Sequence, residues 1–232
     1  MALTLLLTLT AALSLPKGGN LDAALLQQGE FVYGDFRGDS VLGRSRIVIA
    51  RLPDGSYRFS NTVIGHAAQA WTAVALADFK PVSAALEFRG EDGTHQSIFE
   101  IRYDGEHVSG VRYPRQPSGA APIAVEDVVE PGVIDQRIDW AAVMARRLSI
   151  GSKFDFQVYD PNIASSAGAA TVEDGGRVHV PAGDFDTFRI TYRIGKKTGS
   201  ERYVVFATKK LPRLLVREDF PDGVSSKLEM AP

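Results

Sequence analysis

Alternation of apolar and polar residues, broken at short intervals by Asp-Gly turns, is the feature that most narrows what this chain can fold into. Phe188, Ile190, Tyr192 and Ile194 alternate with Arg189, Thr191 and Arg193. The same period sets Tyr57, Phe59 and Val63 against Arg58, Ser60 and Thr62, and Phe99, Ile101 and Tyr103 against Glu100 and Arg102. It recurs in Phe154, Phe156 and Val158 against Asp155 and Gln157. Successive side chains of a strand point to opposite faces, so each run predicts a strand with one dry face and one wet one. Turn signals separate them: PDG at 53–55, EDG at 91–93, DG at 104–105, EDGG at 173–176, KTG at 197–199 and PDG at 221–223. Asp-Gly supplies the positive φ of tight hairpins, so consecutive strands should pair antiparallel.

Only one stretch interrupts the strands with a clear helical period. In VIDQRIDWAAVMARRLSIG, residues 133–151, Ile134, Ile138, Ala141, Ala145 and Leu148 form one apolar stripe, with Asp135 and Asp139 near the amino end and Arg146 and Arg147 near the carboxyl end. Gly151 is placed to close it. Asn20 can cap a short helix through Leu25, and residues 65–79 read as a strand because turns flank them. The small-residue segments 114–122 and 163–170 read as surface loops or lids. The expected fold is mainly β: a long curved antiparallel sheet, a half-barrel or barrel-like meander, packed on one amphipathic helix, with residues 20–232 as a single domain.

The segment VHVPAGDFDTFRITYRI, 178–194, contains a corner. Pro181 cannot donate to a ladder and Gly183 tolerates backbone angles that strain other residues, so the chain turns there and Phe185 is free to fold over the apolar face. This segment, followed by ERYVVFATKKLPRLLVRED and GVSSKLE, resembles a family of exported bacterial proteins classed only as a domain of unknown function, DUF3108. FVYGDFRGDSVLGRSRIVI followed by DGSYRFS resembles the family's opening strands. The resemblance implies a β-rich envelope protein and brings no catalytic residues with it.

The chain of 232 residues contains no cysteine, which excludes disulfides, thiolate metal sites and a thiol nucleophile. With 26 basic and 28 acidic residues interspersed, no nucleic-acid partner is expected. The basic clusters Arg146-Arg147, Lys196-Lys197 and Lys209-Lys210 with Arg213 read as solvated surface. Residues 1–15, MALTLLLTLTAALSL, are apolar and uncharged, too short for the roughly 20 residues of a membrane-spanning helix but matching the core of a secretory leader. A leader normally carries a basic residue first, and this one does not. The expected location is periplasmic or otherwise exported, with no transmembrane span after leader removal.

His66, His95, His107 and His179 lie far apart without metal-ligand spacing, and no cofactor or metal is called for. YDGEH at 103–107 puts carboxylates beside an imidazole, yet at a turn. No Gly-x-Ser-x-Gly elbow or phosphate loop is present. The aromatics carry more. Tyr57, Phe59, Phe88, Phe99, Tyr103, Phe188 and Tyr192 share the apolar phase of the strands, with Trp71 and Trp140 between them. They are either solid core or the wall of a cavity for a guest, because wall and core residues share one phase. The leading expectation is non-catalytic binding of an apolar or amphipathic small molecule or lipid at these residues. The alternatives are an enzyme using such a cavity for acid-base chemistry through His66, His107 or an inward carboxylate, and an adaptor that pairs a sheet edge with another envelope protein.

Overall fold

A computed structural model describes residues 20–64, 68–89, 95–114, 121–196 and 199–232. The first half runs β1 (Gly29–Arg37), β2 (Ser40–Arg51), β3 (Tyr57–Ile64), β4 (Ala68–Ala75), β5 (Pro81–Arg89), β6 (His95–Asp104), β7 (His107–Arg112) and β8 (Ile123–Val128). Next come β9 (Val133–Asp135), a 3-10 turn (Gln136–Ile138) and the helix α1 (Asp139–Met144). The second half is β10 (Lys153–Asp160), β11 (Ala164–Val180), β12 (Gly183–Lys196), β13 (Gly199–Thr208), β14 (Leu215–Asp219) and β15 (Val224–Met230). The leader segment, His66, the EDG signal at 91–93, most of loop 114–122 and residues 197–198 lie outside the described residues.

All the strands belong to one sheet, ordered β8-β7-β6-β5-β4-β3-β2-β1-β15-β14-β13-β12-β11-β10-β9. Sequence neighbours pair antiparallel, and the two halves join where β1 pairs antiparallel with β15, Gly34 opposite Lys227. Two neighbour pairs depart from this: β9 meets β10 in parallel, and β8 and β9 do not pair with each other. The sheet stays open, with β8 and β9 as its ends. It curls until β9 touches β5 and the 3-10 turn touches β4, enclosing α1. The dry faces meet inside: Phe31, Phe59, Phe99, Ile190, Ile194 and Leu228 are all buried. Each such side chain contributes about 1.5–3 kcal/mol against remaining exposed.

The helical stretch is shorter than its apolar stripe suggested. α1 stops at Met144, and just past its end the Arg213 guanidinium donates from Nη1 to the carbonyls of Met144 and Arg146, at 2.9 and 2.6 Å, satisfying acceptors that the helix leaves free. Every residue of α1 is buried, so it is a plug surrounded by sheet and its polar positions also face the interior. Arg146 and Arg213 are buried rather than solvated: Arg146 lies over the Phe154 ring and Arg213 over Phe188. The amino-terminal turn is a 3-10 turn at Ala23–Leu25 capped by Asp22, not Asn20, since the Asp22 carboxylate accepts from the Ala24 N–H at 2.9 Å. This segment is tied down by backbone bonds to Ala145, Ala77 and Arg213.

Segment 163–170 is not a loop, because nearly all of it lies in β11, paired with β10 from Ala164 to Thr171. Small residues are needed there for packing. Gly168 lies opposite Phe156, and a Cβ on it would come within 2.5 Å of that ring. The EDGG signal is likewise not a hairpin. It is a bulge within β11, where the register shifts between Asp174 and Gly176 and Gly176 takes φ +62°. The hairpin lies at the next corner, where Val180 pairs with Gly183 and Pro181-Ala182 forms the tip. The Ala182 N–H donates to the Leu228 carbonyl at 3.1 Å, so the corner clips the β11–β12 hairpin onto β15. Phe185 is not a free plug: it sits in β12 opposite Val178, half-buried at the core margin. Residues 68–75 form a strand, as expected. Among the described residues no helix is long and apolar enough to cross a membrane.

Gly168→Val tests this part of the fold. A surface loop would tolerate it within about 0.5 kcal/mol. Paired against the Phe156 ring, the variant should lose about 1–3 kcal/mol by urea denaturation, the usual cost of overpacking.

Candidate functional site

Among the described residues the curl leaves a cleft between sheet and plug, with a volume of about 350 Å³. That is toward the small end for a ligand site and far beyond the space a few waters need. Tyr33, Ile47, Trp140, Tyr192, Leu215 and Glu218 form its buried floor. Trp71, Asn61, Gln136, Asp160, Tyr203 and Phe220, all partly exposed, rim it. Aromatic faces dominate: Tyr203 stacks on Tyr192 with centroids 5.0 Å apart and planes 11° from parallel, and Phe220 meets Tyr203 edge-on at 6.3 Å.

Two carboxylates lie in that floor. Asp139 comes from the first position of α1 and Glu218 from β14, where it takes an inward position on a strand otherwise buried by Leu215 and Val216. The Tyr192 hydroxyl stands 3.3 Å from Asp139 Oδ1 and 3.3 Å from Glu218 Oε1, one proton between two acceptors. Asp139 Oδ1 also accepts from the Trp140 N–H at 2.5 Å. Burial pushes the Asp139 carboxyl up to about 7, only partly offset by the Trp140 and Tyr192 hydrogen bonds. Burial, then the charge of Asp139, pushes Glu218 up to about 8. Burial first, then the charges of Asp139 and Glu218, raises the Tyr192 hydroxyl well above its usual value, so it remains a donor. The pair therefore holds at least one proton at neutral pH.

Beside them, a buried network fixes the 3-10 turn. Arg137 donates from Nε to Asp135 Oδ1 at 2.5 Å and from Nη2 to Asp135 Oδ2 at 2.7 Å, from Nη1 to Asp160 at 2.5 Å, and from Nη2 to the Tyr159 carbonyl at 3.2 Å. Its guanidinium lies 4.7 Å from the Phe99 ring centroid. Burial alone would lower its pKa, but the Asp135 charge and hydrogen bond, with Asp160, reverse that and keep it charged. Asp135 also accepts from the Tyr103 hydroxyl at 2.6 Å, and Tyr159 donates to Asp127 of β8 at 2.5 Å. These bonds join β6, β8, β9 and β10 across the open seam of the sheet.

Of the aromatics singled out from the sequence, Trp71, Trp140 and Tyr192 line the cleft. Tyr57, Phe59 and Phe99 are packed into solid core, and Tyr103 is committed to Asp135. Phe88 and Phe188 pack half-buried on the core margin. His107 stands exposed at a hairpin tip, and the exposed His179 pairs with Asp184 at 2.7 Å. Among the described residues no group of three or more His, Cys, Asp or Glu side chains is arranged to hold a metal. Sequence reasoning missed Tyr33, Arg137, Asp139, Tyr203 and Glu218. Glu218 carried a signal, a carboxylate in phase with Val216 and Phe220. Asp139, taken as a helix-dipole residue, is the one acid inside the apolar run Ile138 to Ala145.

The raised pKa values have a definite consequence for stability. The folded protein binds protons that the unfolded chain has released above the ordinary carboxyl range, so stability is fully present below that range and falls as pH rises through about 7 to 8. Melting scans from mildly acidic to mildly alkaline pH should show Tm dropping by about 5–10 °C, taking 2–4 °C per kcal/mol for a chain of this size. Glu218→Gln should flatten the drop, and an unchanged slope in that variant would remove Glu218 as its source.

No curated protein and no solved structure matches the chain significantly. A family model does match, from residue 41 to residue 230, and so covers most of the chain, including the β11–β12 corner, the whole of α1 and both floor carboxylates. On that match the chain belongs to the family described as Protein of unknown function (DUF3108).

Proposed function

We propose that this protein is a non-catalytic binding protein of the bacterial cell envelope that holds one small apolar or amphipathic molecule in the cleft between sheet and helix. The observation that carries the reading is the cleft itself, about 350 Å³ walled by Trp71, Trp140, Tyr192 and Tyr203 where the strand phase would otherwise close into solid packing. Export is supported by the apolar, uncharged segment 1–15. One observation favours a second reading, acid-base catalysis: Asp139 and Glu218 lie within reach of one hydroxyl in the same cleft, and burial raises both so that the pair holds at least one proton at neutral pH. An adaptor role has less behind it, since β9 is buried and β8, with Val128 exposed, has only six residues.

Native mass spectrometry of the gently purified mature protein, compared with its denatured mass, tests this. A bound mass that is lost on denaturation and unchanged after incubation is the expected result. A bound species that changes mass on incubation, but not in Glu218→Gln, would make the protein an enzyme. Bare protein throughout would overturn the binding reading.

A further inference from the structure

Most hydrogen-bond donors around the cleft are already engaged. The Tyr33 hydroxyl donates to the Leu215 carbonyl at 2.9 Å, the Trp140 indole to the Arg137 carbonyl at 3.0 Å, and the Tyr203 hydroxyl to Glu201 at 2.7 Å. Ser45 donates to Asp35 at 2.7 Å, and Ser226 donates to the other oxygen of the same carboxylate, so both serines have only lone pairs left for the cleft. Arg137 places four of its five N–H groups on Asp135, Asp160 and the Tyr159 carbonyl. Among the described residues the neutral donors that remain are the Trp71 indole N–H, the amides at the rim such as Gln69 and Gln136, and the protons that Asp139 and Glu218 hold while no cation is beside them.

Acceptors, by contrast, are left over. Asp139 is 5 % exposed and Glu218 6 %, yet among the described residues nothing donates to Asp139 Oδ2 or Glu218 Oε2. Asn61 Oδ1, also in the cleft wall, is buried without a partner. One guanidinium, Arg137, stands among the carboxylates Asp35, Asp135, Asp139, Asp160 and Glu218 at or directly behind the wall. A buried carboxyl avoids the cost of an uncompensated charge by keeping its proton, and it ionises at neutral pH only beside a positive charge. The surroundings are aromatic, and ring faces attract cations as they attract apolar groups.

We infer that the occupant of the cleft carries a protonated primary or secondary amine, whose N–H groups reach the free oxygens of Asp139 and Glu218 while its apolar part lies against Trp71, Trp140, Tyr192 and Tyr203. The inference rests on the binding reading above and narrows it to a ligand class. A protonated amine brings the positive charge beside which the pair ionises, and N–H groups for the two free oxygens, while the protons the pair held leave to solvent. An alcohol brings one donor without charge, and a carboxylate adds negative charge where burial already holds charge off. The Arg137 charge does not oppose the amine, because Asp135 and Asp160 both pair with it.

Titration calorimetry at neutral pH with phenylpropylamine, phenylpropanol and phenylpropionate decides this on the unaltered protein. The amine should bind, the alcohol at least about tenfold more weakly, the scale of one charge-assisted hydrogen bond, and the carboxylate should give no heat. Glu218→Gln should cost the amine about tenfold and leave the alcohol where it was. An alcohol or carboxylate that matches the amine overturns the inference and leaves the binding reading standing. No heat from any of the three also overturns it, and the binding reading falls too only if the gently purified protein carries no bound mass.

Discussion

The buried contact between Arg137 and Asp135 is the interaction on which the interior depends. A sheet that curls without closing must hold its two ends together by something other than a ladder, and here side chains do it. Asp135 accepts from Arg137 and Tyr103, Arg137 reaches on to Asp160, and Tyr159 crosses to Asp127. Taking a guanidinium out of water is expensive, and its attraction to two carboxylates offsets that only with close to full hydrogen bonding, which this site provides. Such a cluster adds little net stability but penalises every arrangement that separates its members. It fixes where the 3-10 turn sits, and therefore where α1 begins and where Asp139 points.

From that position the cleft follows. α1 is buried on all sides, so its first residue cannot turn its carboxylate to solvent, and Asp139 meets Tyr192 and Glu218 inside. At the other end Arg213 caps the carbonyls of Met144 and Arg146, and the plug is too short to fill the curl. The unfilled part is the cleft. Its polarity is a product of the same geometry, since positions that a surface helix would hydrate are enclosed here by strands from both halves of the sheet.

Where sequence and structure part, one cause recurs. Glycine and small-residue runs signal a turn only if the chain leaves the sheet there. In β11 they serve the opposite purpose: Gly168 makes room for Phe156, and Gly176 lets one strand absorb an extra residue and continue. The Val-Pro-Ala-Gly corner was legible because proline removes a donor whatever its surroundings. Its role in clipping onto Leu228 was not, since that partner lies far along the chain. Arg146 and Arg213 read as surface because a charge is normally solvated, and nothing local reveals that a helix end and two phenylalanine rings will cover them.

The sequence by itself determined the β class, the antiparallel pairing of neighbours, most hairpin positions and which residues face inward, because alternation and turn chemistry act over a few residues. It placed Tyr192 on the dry side and singled out Trp71 and Trp140 on the segments between strands, without separating wall from core. Only the tertiary structure decided that β1 would pair with β15, that the helix would be a short enclosed plug, and that Asp139 and Glu218, far apart in sequence, would share one hydroxyl. Those outcomes depend on how far the sheet curls and what its two ends meet, and that is settled by contacts between distant segments that no local pattern encodes.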